Sequence, residues 1–333
     1  MQKVILENPE KILLIRTDRI GDLVTTTPAI RAVHKRFPEA KIDFLASNLN
    51  HLALAANPYL DNIYVLHHKH FWTWPLLVHR LRKQKYDAII CFNGFSSKAA
   101  FISAQAKGKQ SFGLTKARYA KYFNHPFPAD EHAHAAISNL NFLDLLGIPD
   151  DGVEMDYFVP AEALALMDSS YPKQAGGRRI AVFIGNAKKV DTRWPTDKFA
   201  ELAGRLLEGP TLKENPNSEI FLIYGPLEEP FLEMFPPHPQ LKKFKGNLVE
   251  LGAFLKSCDF LVTSSSGPWH ISAAVGTPTI GIISKFNYDC WRPLGESHRF
   301  VRLDSGEKDI RPIPVDAVYK EIESFLNASR KTD

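Results

Sequence analysis

The chain has 333 residues, which is enough for two domains with separate cores. Hydrophobic residues make up 44% and charged residues 23%, as in an ordinary globular protein, and no run approaches the ~20 apolar residues of a membrane-spanning helix. The net charge of +4 is too small to indicate a nucleic-acid-binding protein. Positive charge is concentrated in the first half, as in residues 107–121, which suits an anionic substrate or membrane surface; a solvated basic face is the alternative.

Two further features predict a cytoplasmic protein. Acidic residues and Pro9 interrupt the N-terminal segment before an apolar core forms, so the segment does not resemble a signal peptide. The three cysteines, Cys91, Cys258 and Cys290, match neither a disulfide framework nor a CxxC metal site. We interpret them as buried thiols in a reducing compartment.

Short apolar strands alternate with helices in the first half of the chain. The strands are predicted at residues 11–16, 41–46, 62–66 and 86–91. The clearest helix is predicted over residues 22–37, where Leu23, Ile30, Val33 and Phe37 recur at helical spacing. This alternation predicts a parallel sheet covered by helices on both faces.

The segment 157–179 changes character, with Pro160, Pro172 and a Gly176–Gly177 pair, and we interpret it as an interdomain connection. The alternation then restarts. Strands are predicted at 180–184, 219–224, 260–263 and 279–283, and helices at 196–207, 248–257 and 315–326.

These patterns predict two domains, at 1–170 and 171–333. The last helix, at about 315–327, can pack back on the first domain. Parallel α/β units bind ligands at the carboxyl ends of their strands, so we expect the site in a cleft between the two domains.

The first segment that indicates chemistry is 11–38, in which a strand leads through a loop to Gly21 and Asp22 and then to a helix. Asp22 is predicted at the helix N-terminus, at the top of the sheet. It is either a helix cap or a carboxylate positioned as general base toward an acceptor hydroxyl. Asp18 and Arg19 share the loop, as a surface ion pair or as part of the acceptor side.

The second segment, 263–282, places serines and a glycine between a strand and a helix. Backbone N–H groups, hydroxyls and the helix dipole converge there, which predicts a phosphate site. Its members are Ser264, Ser265, Ser266 and Gly267. His270, about one turn into the helix, is either a phosphate donor or a core histidine under the loop.

The third segment, 191–202, has Arg193 before Trp194, Pro195 and a helix. Arg193 is predicted to neutralise a leaving diphosphate; the alternative is a surface arginine stacked on Trp194.

The fourth segment, 220–229, ends a strand in Gly225 and Pro226, followed by Glu228 and Glu229. A carboxylate at this point often holds ribose hydroxyls, although two adjacent acids in a loop are as often solvent-facing residues.

In this order and spacing the segments resemble glycosyltransferase family 9, the heptosyltransferases of lipopolysaccharide assembly. The matching residues are Gly21–Asp22 followed by Thr26–Thr27–Pro28, Arg193–Trp194–Pro195, Gly225 with Glu228, Gly246–Asn247–Leu248, and Gly267–Pro268 with His270 and the following Ala273–Ala274, Gly276 and Pro278. The similarity covers most of the chain and is weakest at 49–131, where family members bind different acceptors.

The resemblance implies a GT-B fold of two Rossmann-like domains that face a central cleft, with the acceptor bound by the domain at 1–170 and the nucleotide sugar by the domain at 171–333. It also implies an inverting reaction without an essential metal or cofactor. It implies that Asp22 deprotonates the acceptor and that Arg193, the serine turn and His270 hold the donor diphosphate. The typical donor is ADP-L-glycero-D-manno-heptose, and the typical acceptor is the inner core on lipid A.

One departure leaves the donor sugar open. Core heptosyltransferases usually carry Asp-Thr-Gly or Asp-Ser-Gly where this chain has Ser265, Ser266 and Gly267. Arg193 also stands where some members have lysine. The alternatives are a family-9-like transferase that uses another nucleotide sugar in O-antigen or capsule assembly, and a non-catalytic nucleotide-binding member.

The acceptor side is assigned to Arg19, Lys98 and Arg118, as contacts for acidic sugars or phosphates. A lipid-linked saccharide acceptor implies peripheral contact with the cytoplasmic face of the inner membrane. The aromatic stretch 70–75 either inserts at that surface or forms a buried loop.

Overall fold

The computed structural model describes residues 3–130, 132–185, 192–304 and 308–329. The chain divides into two compact units, Met1–Phe158 and Val159–Asp333. Each unit is built on a six-stranded sheet in which all paired strands run parallel. The predicted α/β class is therefore confirmed.

The first sheet has the strand order β3-β2-β1-β4-β5-β6. Its strands are β1 (Lys11–Ile15), β2 (Lys41–Ser47), β3 (Asn62–Leu66), β4 (Ala88–Cys91), β5 (Gln110–Thr115) and β6 (His125–Pro128). The order reverses between β1 and β4, and loops at the carboxyl ends of strands beside such a switch point commonly bind ligands.

Helices cover both faces of this sheet. The α-helices are α1 (Ile20–Val24), α2 (Thr27–Arg36), α3 (Trp74–Gln84), α4 (Ser97–Ala106) and α5 (Ala135–Asp144). Short 3-10 helices span His51–Leu54, Phe71–Thr73 and Ala117–Tyr122. On one face α3 and α4 bury Leu77, Leu81, Ala99 and Ile102 against the strands.

The second sheet has the order β12-β11-β10-β7-β8-β9, which repeats the topology of the first when read from its other edge. Its strands are β7 (Arg179–Phe183), β8 (Glu219–Ile223), β9 (Leu241–Phe244), β10 (Phe260–Ser264), β11 (Thr279–Ser284) and β12 (Arg299–Leu303). The switch point here lies between β7 and β10.

The helices of the second unit complete the same architecture. They are α6 (Ala161–Ser170), α7 (Thr196–Glu208), α8 (Pro210–Lys213), α9 (Leu248–Lys256), α10 (Gly267–Ala274), α11 (Lys285–Trp291) and α12 (Val315–Ser329), with a 3-10 helix at Glu229–Met234. The final helix α12 buries Val318 and Ile322 in the core of this unit, with α7 and the second sheet.

The long helix expected at 22–37 is divided into α1 and α2. The hydroxyls of Thr25 and Thr26 donate to the carbonyl oxygen of Asp22, at 3.0 and 2.8 Å, which ends α1. Pro28, which has no N–H to donate, then stands in the first turn of α2. The helical periodicity of the apolar residues is therefore correct for α2, but the helix breaks at the threonines.

The units divide after Phe158 rather than after residue 170, because α6 packs on α9 of the second unit. Arg179 fixes the end of this helix to the second sheet. Its buried guanidinium donates to the Tyr171 carbonyl at 2.7 Å and to the Ser257 hydroxyl at 2.8 Å, and lies 5.2 Å from the Phe221 ring centroid.

We expect Arg179→Ala to lower the free energy of unfolding of the second unit by about 3–5 kcal/mol, because it leaves buried acceptors unpaired and removes packing from the rings of Phe221 and Phe254. Urea denaturation followed by circular dichroism measures the loss. The neighbouring Arg178→Ala is the control, since the Arg178 side chain is 29% exposed and should change stability by less than about 1 kcal/mol. Equal effects of the two substitutions would contradict this role.

Candidate active site

A buried arginine organises the carboxyl end of β1. Arg16 is 4% exposed, and its Nε donates to Asp18 Oδ1 at 2.9 Å, its Nη2 to Asp22 Oδ1 at 3.0 Å and its Nη1 to the Phe92 carbonyl at 3.0 Å. Burial lowers the pKa of Arg16, but Asp18 and Asp22 more than compensate and hold it above its ordinary value. The cation is therefore permanent, and both carboxylates are oriented on it.

Asp22 lies inside the first turn of α1 rather than at its N-cap. The N-cap is Arg19, whose side chain does not cap the helix. The Asp22 side chain is 15% exposed and reaches Arg16 through Oδ1; among the described residues, Oδ2 accepts no hydrogen bond. The interpretation of Asp22 as a helix cap is therefore wrong. The geometry leaves one carboxylate oxygen available to a hydroxyl group.

Two buried asparagines hold the loop that carries these acids. Asn50 Nδ2 lies 3.5 Å from the carbonyl oxygens of Arg16, Asp18 and Arg19. Asn93, after β4, donates to Thr17 Oγ1 at 3.2 Å. The loop is thus tied to the ends of β2 and β4, which are the two neighbours of β1.

Asp18 is the second acid on Arg16, and its surroundings favour protonation. Burial raises its pKa, the Arg16 cation lowers it, and the nearby Asp22 charge raises it again, so that the pKa is about 6. The sequence predicted Asp18 either as half of a surface ion pair with Arg19 or as part of the acceptor side. In the structure its partner is Arg16.

The residues assigned to the acceptor side lie in segments that follow the carboxyl ends of β1, β4 and β5. Arg19 is exposed beside Asp18. Lys98 donates to the His68 carbonyl at 3.0 Å, and His68 Nε2 lies 2.7 Å from the Thr17 carbonyl, so Lys98 is coupled to the Asp22 loop. Arg118 is exposed on the 3-10 helix after β5, with its guanidinium 4.8 Å from the Tyr119 ring centroid. Their contact with an acceptor stays a prediction.

The second candidate site is the turn between β10 and α10. Ser266 is the N-cap of α10, and its side chain makes no capping hydrogen bond. Its hydroxyl lies 3.1 Å from Thr263 Oγ1. The turn residues Ser265, Ser266 and Gly267 are partly exposed, so the positive end of the helix is accessible to an anion.

Ser264, at the end of β10, holds the segment that carries Arg193 through a hydrogen bond to the next residue, Trp194. Its buried hydroxyl oxygen accepts from the backbone N–H of Trp194 at 3.0 Å. Trp194 is fully buried, with Nε1 donating to the Ile313 carbonyl at 2.8 Å. Arg193 is therefore fixed beside the serine turn by its neighbour. Its guanidinium lies 5.2 Å from the Phe231 ring centroid, so the expected alternative of stacking on Trp194 is wrong.

His270 is buried in α10, with its ring centroid 5.5 Å from that of Trp269 and 6.5 Å from that of Trp291. Trp269 anchors the same helix, because its Nε1 donates to Thr279 Oγ1 at 3.1 Å. These contacts match the interpretation of His270 as a core histidine. Its donation to a phosphate stays a prediction.

The turn after β8 is closed by a buried carboxylate. Glu228 is 6% exposed, and its Oε2 accepts from the Gly225 N–H at 3.1 Å. The adjacent Glu229 is exposed and pairs with Lys245 at 3.0 Å. The two acids are therefore not equivalent, since Glu228 is buried in the turn after β8 and Glu229 is at the surface. Contact of Glu228 with a ribose stays a prediction.

Three remaining points concern Asp191, a possible metal site and possible membrane-spanning helices. Asp191, at the start of the third segment, lies outside the described residues. In the part of the chain that the structure describes, no three His, Cys, Asp or Glu side chains are grouped to hold a metal ion. No helix among the same residues is both long and apolar enough to cross a bilayer. Metal independence of the reaction stays a prediction.

The comparisons with known proteins agree with this architecture. The profile of "Glycosyltransferase family 9 (heptosyltransferase)" matches residues 74–312. Lipopolysaccharide heptosyltransferase 3 of Escherichia coli is 24% identical over 330 residues, which cover 94% of each chain.

Two solved structures share the fold. The structure of E. coli ADP-heptose lps heptosyltransferase II has a TM-score of 0.80 at 18% identity and covers 96% of this chain and 99% of that one. E. coli heptosyltransferase WaaC with ADP has a TM-score of 0.73 at 20% identity and covers 95% and 98%. These matches confirm the GT-B fold that the sequence resemblance implied.

The elevated pKa of Asp18 predicts a dependence of stability on pH. The pKa of Asp18 is 3.8 ordinarily and about 6 in the folded chain. Between these two pH values the folded state keeps a proton on Asp18 that the unfolded chain releases. The free energy of unfolding should therefore fall as the pH rises through this interval, by up to about 3 kcal/mol for this group. Asp18→Asn removes the titration, so the variant should gain stability relative to wild type between acidic and neutral pH. Urea denaturation at several pH values tests this, and a pH-independent difference would contradict it.

Proposed function

We propose that this chain, which belongs to glycosyltransferase family 9, transfers a heptose from ADP-L-glycero-D-manno-heptose to an inner-core lipopolysaccharide acceptor. The family membership makes it a glycosyltransferase. The names of its relatives, heptosyltransferases of lipopolysaccharide, support the choice of sugar and acceptor. The observation that carries the catalytic proposal is the Asp22 carboxylate held on Arg16 at the switch point of the first sheet.

The reaction is an inverting displacement at the anomeric carbon. Asp22 Oδ2 accepts the proton of the acceptor hydroxyl as the hydroxyl oxygen forms its bond to that carbon. The bond from the carbon to the ADP oxygen breaks, and ADP leaves with the electron pair. Arg16 fixes the direction of the carboxylate through Oδ1, which keeps Oδ2 available for the proton.

The donor is assigned to the second unit. The N–H groups at the start of α10 and the guanidinium of Arg193 supply the positive charge that stabilises the leaving diphosphate, without a metal ion or cofactor. Glu228 and the turn at Gly225 receive the ribose. The relative solved with ADP supports an adenosine diphosphate donor. Because Ser265 replaces the carboxylate usual in core heptosyltransferases, another nucleotide sugar is the alternative donor.

The acceptor is assigned to the first unit, on Arg19, Lys98 and Arg118, whose charges suit acidic sugars and phosphates. A lipid-linked acceptor requires the enzyme to work in peripheral contact with the cytoplasmic face of the inner membrane. Nucleic acid is not a partner in this proposal.

The first test is Asp22→Asn, which keeps the shape of the side chain and removes the base. We expect kcat for transfer to fall by about 10²–10⁴-fold, the usual contribution of general-base catalysis, while the Kd for ADP is unchanged. Radiochemical transfer and calorimetric titration measure the two quantities. Asp144→Asn, at an exposed pair with Lys3, is the control and should keep normal transfer. Near-normal kcat in Asp22→Asn would contradict the base assignment.

The second test concerns Arg193 and the donor. Thermal-shift titration of the wild type should show larger stabilisation by ADP than by GDP or UDP. Arg193→Ala should raise the Kd for ADP by about tenfold to a hundredfold, because it removes charge-assisted hydrogen bonds, and should also lower kcat.

Arg205→Ala is the control for this test, since Arg205 on α7 pairs with Glu201 at the surface. A preference for GDP or UDP would redirect the proposal to another donor. Unchanged ADP binding in Arg193→Ala would remove Arg193 from the donor site.

A further inference from the structure

Charge is strongly segregated along this chain. Residues 67–129 contain 11 Lys and Arg but a single carboxylate, Asp87, whereas the rest of the chain holds 30 basic and 36 acidic side chains. Asp87 is itself paired with Lys109 at 2.7 Å. Ten of the 11 basic side chains are exposed, and Lys98 is half-buried. The segment is thus a basic surface on a chain that is otherwise net acidic.

The same segment exposes large apolar side chains. Phe71 and Trp72 are 69% and 64% exposed in the 3-10 helix before α3, and Phe101 is 41% exposed on α4. No other Phe or Trp among the described residues is exposed. Leu76 on α3 is 55% exposed. Exposed aromatic groups of this size indicate an interaction surface when they lie together.

These side chains lie on one helical layer of the first unit. The ring centroid of Trp74, in α3, is 6.5 Å from that of Phe101, in α4. Arg82 joins the two helices by donating to the Gln105 carbonyl at 2.6 Å and to its side-chain oxygen at 2.8 Å. Leu77 and Leu81 of α3 face the sheet, and the helical spacing of Leu76, Arg80 and Lys83 puts apolar and basic groups on its outer face.

We propose that this layer docks on an anionic lipid bilayer. The docking surface comprises the apolar residues Phe71, Trp72, Leu76 and Phe101 and the basic residues Lys69, Arg80 and Lys83. Aromatic rings partition to the headgroup region of a bilayer, and neighbouring cations bind lipid phosphates. Nucleic acid would satisfy the cations but would leave Leu76 and Phe71 in water.

The docking surface adjoins the site of the proposed base. Residues 67–73 connect β3 to α3. Within this connection the His68 ring contacts the Thr17 carbonyl, and the His68 carbonyl accepts a hydrogen bond from Lys98. A saccharide anchored in the bilayer would thus meet the Asp22 loop beside the surface that binds the lipid. The delivery of an anchored saccharide to Asp22 rests on the proposed function, which is transfer to a lipid-linked acceptor.

The test is flotation of the full chain with vesicles of phosphatidylcholine, alone or mixed with phosphatidylglycerol. We expect binding only to the anionic vesicles and release by added salt. The double variants Phe71→Ser/Trp72→Ser and Arg80→Glu/Lys83→Glu should each lower the partition coefficient about tenfold or more. All four side chains are exposed, so equal thermal midpoints check that the variants are folded.

The matched controls lie in the second unit. Leu166→Ser/Met234→Ser alters side chains that are 48% and 47% exposed, and Lys213→Glu/Lys256→Glu reverses two exposed charges; neither should change partitioning. Equal binding to neutral vesicles, equal losses in the controls, or tighter binding to duplex DNA at the same salt would overturn the proposal. These vesicles contain neither donor nor acceptor, so the result is independent of whether heptosyl transfer is found.

Discussion

The neutralisation of one buried cation determines the geometry of the first unit. A guanidinium at the carboxyl end of β1 is costly to bury unless its charge is paired and its N–H groups are bonded. Arg16 meets this requirement with Asp18, Asp22 and the Phe92 carbonyl, and in doing so joins the ends of β1 and β4 to α1. The direction of the Asp22 carboxylate follows from this pairing, and the same low-polarity surroundings raise the pKa of Asp18.

The second unit has the same topology, but the described loops at the carboxyl edge of its sheet carry different groups. Besides the buried Glu228 carboxylate, these include the backbone N–H donors at the start of α10 and the guanidinium of Arg193. A buried hydroxyl, Ser264, sets their mutual position through the Trp194 N–H. In the proposed sugar transfer, the first copy of this topology supplies the carboxylate that accepts a proton, and the second copy supplies the positive charge that stabilises the diphosphate.

Sequence patterns predicted the buried strands well and the supporting contacts poorly. The eight predicted strands exist because each is a short apolar run, whereas β5, β6, β9 and β12 were missed because Gly113, Pro126, Lys242 and Arg302 interrupt the apolar pattern. Asp22 could be found from its motif, but Arg16 could not. In the sequence, Arg16 is simply the last residue of a predicted apolar strand. Its contact with the Phe92 carbonyl becomes evident only when β1 and β4 are known to be neighbours. The contact between the Ser264 hydroxyl and the Trp194 N–H was likewise not predictable from the sequence, because the two residues are 70 positions apart in the chain.

The repeated strand order also bears on how such enzymes diversify. Each unit completes its own sheet and its own core, so neither needs the other to pair its strands. Sequence change in the loops at one carboxyl edge leaves the hydrogen-bonded framework of both sheets intact. A transferase with a new acceptor can therefore evolve in few steps, by duplication of one ancestral half and separate sequence change in the two sets of loops. Exchange of halves between relatives is the equivalent route in the laboratory.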